Sequence, residues 1–186
     1  MTEKEPVAEP IPSSEHWMTV DALKAADAGV TSWSDARDRL AQGRTYWLAT
    51  RRRDGRPHEM PILAVWLAGM LYFVASPSSR KAQNLAENAQ CVVTVNAEAI
   101  DIVVEGGARN VRDESKLRRV AGAYASKYEW DVTVREGAFY GDGAPTAGPP
   151  PYDVYELSPA IIFGFGTDGT LSPTRWRFIG HSAAPS

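Results

Sequence analysis

The sequence has one cysteine and three histidines among its 186 residues. A lone cysteine excludes an intramolecular disulfide and any metal site that needs several cysteines. Cys91 opens a valine-rich run, which predicts a small, buried apolar side chain. The histidines are scattered, at His16, His58 and His181, and two of them lie near the chain ends. Their spacing therefore predicts no metal site.

Long apolar runs and an excess of positive charge are also missing. The apolar runs fall far short of the ~18 residues that a membrane span needs, and the N-terminus carries no apolar signal core. The formal net charge is −3, whereas a general nucleic-acid surface is basic. We therefore expect a cytoplasmic protein that binds neither membrane nor nucleic acid. The arginine triplet at 51–53 is accordingly interpreted as a solvated hairpin tip.

The residues that are present indicate an anion site at the start of a helix. Residues 76–96 read SPSSRKAQNLAENAQCVVTVN. Serine is a strong N-cap residue and proline suits a first turn, so a helix should begin near Ser78 or Ser79. Arg80 and Lys81 would lie in that first turn, where the helix dipole favours anions. A bound phosphate would resolve this conflict. The alternative is that both cations are solvated, because exposed dipole effects amount to only ~0.3–1 kcal/mol.

The remaining patterns predict one β-rich domain over residues 17–180, between a disordered arm at 1–16 and a tail at 181–186. Helical patterns lie at 20–28, 33–41 and 114–128. Strand patterns, with an Asp-Gly hairpin signal between the first two, lie at 45–50, 58–67, 70–75, 91–95, 100–111, 152–157 and 161–165. This order predicts an antiparallel barrel or sandwich with helices at the connections. The Gly- and Pro-rich segment 137–151 is interpreted as either a lid or a disordered insertion.

Standard catalytic motifs are missing as well. The chain has no G-x-S-x-G, no H-E-x-x-H and no P-loop lysine motif. A phosphate site on a small antiparallel barrel, without a nucleophile or an acid–base set, suggests that a bound cofactor carries the chemistry.

The run SRKAQNL at 79–85, followed by Glu87-Asn88 and a strand, resembles the flavin-phosphate segment of the pyridoxamine 5′-phosphate oxidase-like split-barrel superfamily. The neighbouring stretches TYWLAT, PHEMPILAVW, LYFVAS, CVVTV and IVVEGGARNV occur in a similar order. The resemblance covers residues 32–111 well and extends more loosely to residue 178. It implies a split antiparallel β-barrel with flanking helices, a homodimer, and FMN or coenzyme F420 at the dimer interface.

By position, the resemblance assigns the cofactor phosphate to Arg80 and Lys81. Ser76 and Ser78 would line the same pocket. The paired cations slightly favour FMN over F420.

The resemblance places the tricyclic ring against the strands on either side of the predicted hairpin. His58, Met60 and Pro61 would run along the ring. Trp47 and Thr50 would support it from the preceding strand.

Trp176 and Arg177 resemble a C-terminal Trp and Arg that reach the cofactor from the other subunit. The end of the chain departs from the family, however. Vitamin B6 oxidases end in a segment resembling R-L-x-P, whereas this chain ends RWRFIGHSAAPS. We therefore do not expect pyridoxamine phosphate oxidation itself.

The resemblance implies an oxidoreductase that transfers hydride to or from a small planar unsaturated substrate. The alternative is a non-catalytic module of the same fold that holds flavin, heme or another tetrapyrrole, for which His58 is a lone axial candidate. A third hypothesis, nucleic-acid binding through residues 51–56, is poorly supported by the acidic composition.

Overall fold

The computed structural model describes residues 5–12, 29–142 and 149–178. Within these residues the chain forms three helices, α1 (Trp33–Gln42), α2 (Arg80–Glu87) and α3 (Glu114–Tyr128). The strands, in chain order, are β1 (Val7–Pro10), β2 (Tyr46–Arg51), β3 (Pro57–Ile62), β4 (Ala64–Leu67), β5 (Met70–Ala75), β6 (Gln90–Ala97), β7 (Ile100–Val111), β8 (Thr133–Arg135), β9 (Ala138–Tyr140), β10 (Asp153–Gly166) and β11 (Thr174–Arg177). None of the helices in these ranges is long and apolar enough to cross a membrane.

One antiparallel sheet contains nine of the described strands, and β10 is the strand that splits it. The main path runs β1-β11-β10-β7-β6-β2-β3. On one side, β10 pairs with β7 along its whole length. On its other side, residues 153–157 pair with β5 and residues 161–164 pair with β11. The sheet therefore divides at the middle of β10, and β4 joins it only through β5.

The two strands predicted around Ser158 and Pro159 are one strand with an irregularity. The register between β10 and β7 shifts between Pro159 and Ile161, which is a β-bulge. Gly106 of β7 faces this point, where an added Cβ would lie 2.1 Å from the Ser158 carbonyl oxygen. The lack of a side chain at Gly106 thus allows the bulged strand to continue.

The interior of the sheet and the space beneath α3 form two hydrophobic cores. Helix α1 closes the first core with Trp33, Ala36 and Leu40, which pack with inward residues of β2, β6, β7 and β10. Helix α3 packs Leu117, Val120 and other residues into the second core, against β4, β5 and β10. Burial of these apolar faces supplies the main driving force for folding.

Several predicted boundaries differ from the structure. The predicted disorder of residues 1–16 is wrong for Val7–Pro10, which pairs with β11 as an edge strand. The predicted return strand at 58–67 is two strands, broken at Leu63. The predicted loop at 137–151 begins with β9, and Phe139 forms an isolated bridge with Tyr152. The predicted helix at 20–28, His16 and His181 lie outside the described residues.

Candidate functional site

Helix α2 begins as its sequence predicts. Ser79 is the N-cap, and its hydroxyl accepts a hydrogen bond from the backbone N–H of Ala82 at 3.3 Å. The preceding turn is closed by the Ser79 N–H, which donates to the Ser76 carbonyl oxygen at 2.9 Å. The Ser76 and Ser78 hydroxyls lie 3.1 Å apart. The first turn of the helix carries cations and no acidic residue, so its positive pole has no anionic side chain in that turn.

Lys81 is the most unusual residue of this turn because it is only 6% exposed. Within the described ranges its ammonium has neither an ion pair nor a hydrogen bond. Burial lowers the pKa of Lys81 below its usual value, because desolvation disfavours the charged form. A buried cation without a partner is unfavourable unless an anion joins it. Arg80, one residue earlier, is exposed.

Helix α2 is attached to the strands by a short chain of hydrogen bonds. The Asn84 side-chain amide donates to the Thr50 hydroxyl at 2.9 Å, and that hydroxyl donates to the His58 carbonyl oxygen at 3.3 Å. Asn84 and Thr50 are both buried. These contacts hold α2 against β2 and β3, close to His58. Sequence analysis did not assign Asn84 a role, although it lies within the SRKAQNL run.

His58 lies within the electrostatic influence of the α2 cations. Its pKa is lowered first by partial burial and then by the charges of Arg52, Lys81 and Arg80, so the ring is neutral at pH 7. The Nδ1 atom is buried and has no hydrogen-bond partner among the described residues. Three predicted residues, His58, Arg80 and Lys81, therefore interact electrostatically. The Lys81 ammonium and the His58 Nδ1 atom have no hydrogen-bond partner among the described residues.

The predicted ring-binding residues lie on two faces of the sheet. In the antiparallel ladder, Thr50 pairs with His58 and Leu48 pairs with Met60, so these side chains share the inward face. Trp47 pairs with Pro61, which places that pair on the outward face. In a single chain the five residues are therefore divided between the two faces of the sheet, and their contact with a ring at a dimer interface stays a prediction.

Two open grooves lie mainly on the outward side of β2. One, of about 500 Å³, is lined by Trp47 together with Arg39, Arg44 and Asn96. The other, of about 430 Å³, is lined by Thr50, Arg51, Glu105 and neighbours. Neither groove is lined by Arg80 or Lys81. The cation pair therefore marks a site distinct from these grooves.

Trp176 and Arg177 do not reach the cations of α2 within the chain. Trp176 is wholly buried, and its ring centroid lies 5.8 Å from that of Trp33 in the barrel core. Arg177 donates from Nε to Glu9 at 3.1 Å. Trp176 therefore exposes no ring face within the single chain, and the expectation that Trp176 and Arg177 reach a cofactor from the other subunit stays a prediction.

Comparison with known proteins matches the part of the chain that contains helix α2 and most of the sheet. The model of the pyridoxamine 5′-phosphate oxidase family matches residues 33–164. No curated protein matches the sequence significantly.

Solved structures share the fold at low sequence identity. A conserved hypothetical protein from Mycobacterium tuberculosis has a TM-score of 0.59 at 18% identity, covering 75% of this chain and 88% of its own. An FAD-binding protein from Mesorhizobium loti has 0.55 at 15%, covering 80% and 95%. A heme binding protein from Mycobacterium smegmatis has 0.52 at 18%, covering 80% and 55%. These similarities confirm the predicted antiparallel split-barrel fold.

Proposed function

Because the chain belongs to the pyridoxamine 5′-phosphate oxidase family, we propose that it binds FMN or coenzyme F420 and acts as a flavin-type oxidoreductase. The proposed reaction is hydride transfer to or from a small planar unsaturated substrate. The observation that carries the proposal is Lys81, a buried cation with no partner at the start of α2.

The residues at this helix start fit a phosphate group. A phosphate carries one or two negative charges and oxygens that accept hydrogen bonds, and helix N-termini are favourable sites for such anions. Charge-assisted hydrogen bonds to Arg80 and Lys81 would satisfy two cations that lack carboxylate partners in the described ranges. Both proposed cofactors carry a phosphate group, so both are compatible with this site.

Each group around the site has a proposed role. Arg80 and Lys81 bind the phosphate, and the Ser76 and Ser78 hydroxyls offer further hydrogen bonds. His58 contributes a neutral ring, whose buried Nδ1 atom has no hydrogen-bond partner among the described residues. When bound, the cofactor supplies the redox chemistry, while the protein supplies binding, orientation and electrostatics.

We further propose that the protein is a homodimer that pairs through the outward face of its sheet. One cross-strand row on this face joins Trp47, Thr94, Val103 and Phe163. Trp47 is 46% exposed and the other three are partly exposed. Three of these four side chains are apolar, and exposed apolar side chains that lie together are typical of an interaction surface. The same face on a second copy is the proposed partner.

The double variant Arg80→Ala with Lys81→Ala tests the cofactor proposal. We expect it to remain folded and to lose retained FMN or F420, measured by absorbance after a desalting column. The matched control is Arg118→Ala with Arg119→Ala, which removes the same charge from the exposed face of α3. Equal retention of cofactor by the double variant and the control would contradict the proposal.

A second candidate is a non-catalytic module that holds heme or another tetrapyrrole. The neutral His58 ring is the observation that favours it, since a neutral imidazole is a common metal ligand. A heme absorbance band that disappears in His58→Ala, together with no retained flavin or F420, would support this candidate over the first.

A further inference from the structure

We propose that Arg52 forms a second anion-binding subsite beside Lys81, and that the bound cofactor therefore carries a second acidic group, a phosphate or a carboxylate. This inference rests on the cofactor site proposed above and specifies its ligand more narrowly. It favours a cofactor such as F420, whose tail carries carboxylates beyond its phosphate, over FMN, which has a single phosphate.

The three arginines at the hairpin tip differ in their surroundings. Arg51 and Arg53 are exposed, whereas Arg52 is only partly exposed. Side chains alternate along a strand, so Arg52 continues the inward face on which Thr50 lies. The Arg52 backbone N–H donates to the Arg56 carbonyl oxygen at 2.9 Å, which extends the hairpin pairing and keeps this alternation at residue 52.

That inward face is also the face against which α2 is attached. The hydrogen bond from Asn84 to Thr50, at 2.9 Å, joins the helix to β2 two residues before Arg52. Two residues span roughly 7 Å along a strand. The charges of both Arg52 and Lys81 act on His58 and lower its pKa, after the larger effect of burial. Arg52 and the α2 cations thus all act electrostatically on His58.

Arg52 has no acidic partner that would account for its position. In the described part of the chain its guanidinium forms no ion pair or hydrogen bond. The nearby carboxylate of Asp54 is bound instead by Arg56, at 2.7 Å.

The charges of the site show why a single phosphate would leave Arg52 without an anionic partner. A phosphate monoester carries about −1.5 to −2 at neutral pH, which Arg80 and Lys81 already balance. A third cation on the same face would pair with a second acidic group on the same ligand. This conclusion reverses the slight preference for FMN drawn from the Arg80-Lys81 pair alone.

The test compares ligands that differ in their acidic groups. Dissociation constants for riboflavin, FMN, FAD and F420 are measured by fluorescence titration with the full chain, Arg52→Ala and Arg53→Ala. Arg53 is the matched control, since it is the next residue, has the same charge and is exposed in the hairpin turn. We expect Arg52→Ala to weaken F420 or FAD binding about tenfold and FMN binding less than twofold. Arg53→Ala should change all of them less than twofold.

Three results would overturn the inference. Arg52→Ala could weaken FMN as much as F420, which would make Arg52 part of the first phosphate site. Both arginine variants could behave alike, which would indicate general electrostatic attraction. The wild type could retain FMN and bind neither F420 nor FAD.

Failure of the proposed cofactor function has a different signature, in which the wild type binds none of the four compounds. In that case the same variants are compared for thermal stabilisation by pyrophosphate and by orthophosphate. A pyrophosphate advantage that is lost in Arg52→Ala and kept in Arg53→Ala would support two adjacent anion subsites without a flavin. Equal stabilisation by the two anions in the wild type would overturn them.

Discussion

Lys81 shows the opposing demands that stability and binding place on one residue. The residue is 6% exposed and its ammonium is unpaired within the described residues, so it opposes folding of the cofactor-free protein. The same desolvation strengthens its attraction to an anion that enters the site, because water screens that attraction less. Under the proposed function, Lys81 favours anion binding at the expense of stability.

Replacing Lys81 with methionine should therefore separate the two effects. Lys81→Met keeps the length of the side chain and removes a buried charge. We expect the cofactor-free variant to gain about 1 kcal/mol in free energy of unfolding and to bind FMN or F420 at least tenfold more weakly. Urea unfolding and fluorescence titration measure the two quantities.

Lys116→Met is the control for this change. Lys116 contacts the buried carboxylate of Glu156 at 2.6 Å, so its removal should destabilise the protein, by about 2 kcal/mol. If Lys81→Met were destabilising to a similar extent, Lys81 would have a structural partner and the binding role would lose its support.

Glu156 joins strand β10 to three neighbouring elements, β5, β7 and α3. Its carboxylate, 1% exposed, accepts from Tyr72 of β5 at 2.6 Å, from Arg109 of β7 at 2.6 Å and from Lys116 of α3 at 2.6 Å. Burial alone would raise the pKa of Glu156, but these hydrogen bonds outweigh it and lower the pKa to about 2. The cluster attaches α3 to the sheet. Its residues belong to β5, β7, β10 and α3, and none of them belongs to α2.

This lowered pKa predicts acid-sensitive stability. The carboxyl titrates at about 4.5 in the unfolded chain and about 2 in the folded one. Its contribution is therefore complete above pH 4.5 and is lost as the pH falls towards 2. Glu156→Gln should lower the free energy of unfolding by about 2 kcal/mol at pH 7, and by clearly less at pH 3.

Urea unfolding of the wild type and Glu156→Gln at both pH values measures this difference. Glu114→Gln is a suitable control, since its carboxylate forms an exposed i,i+4 pair with Arg118 on the same helix, and such pairs contribute little. A Glu156→Gln effect that stayed constant between pH 3 and pH 7 would contradict the assignment.

In the homodimer that we propose, two copies meet through the outward face of the sheet. Its central row passes through Val103, between Thr94 and Phe163. In a two-fold interface each residue of the row recurs on the partner, so one substitution alters the interface twice.

Val103→Asp should therefore convert a dimer to a monomer of 20.3 kDa. Two carboxylates would be placed in an apolar interface, where unpaired charges are strongly disfavoured. Light scattering after gel filtration measures the mass, and circular dichroism checks the fold. Arg118→Asp on the exposed face of α3 should leave the mass unchanged. A wild-type mass of one chain would contradict the dimer, and a dimeric Val103→Asp variant would exclude this face.

The features predictable from the sequence alone are those set by neighbours along the chain. The N-cap at Ser79 and helix α3 at Glu114–Tyr128 were predicted because capping and helical periodicity act within a few residues. The order of the strands was largely predictable for the same reason, since each hairpin is specified by its own turn. The cation pair Arg80-Lys81 was likewise evident as an unusual first turn.

Tertiary structure alone decided which side chains face one another. Trp176 lies in the core because β11 pairs with β10, and a strand pattern does not specify a distant neighbour. Trp47 and Thr50 belong to one strand but lie on opposite faces of the sheet, where their surroundings come from other elements. The sequence thus determined where helix α2 and its pair of cations begin, because capping is local. The burial of Lys81 depends on the packing of α2 against β2, a contact between residues far apart along the chain.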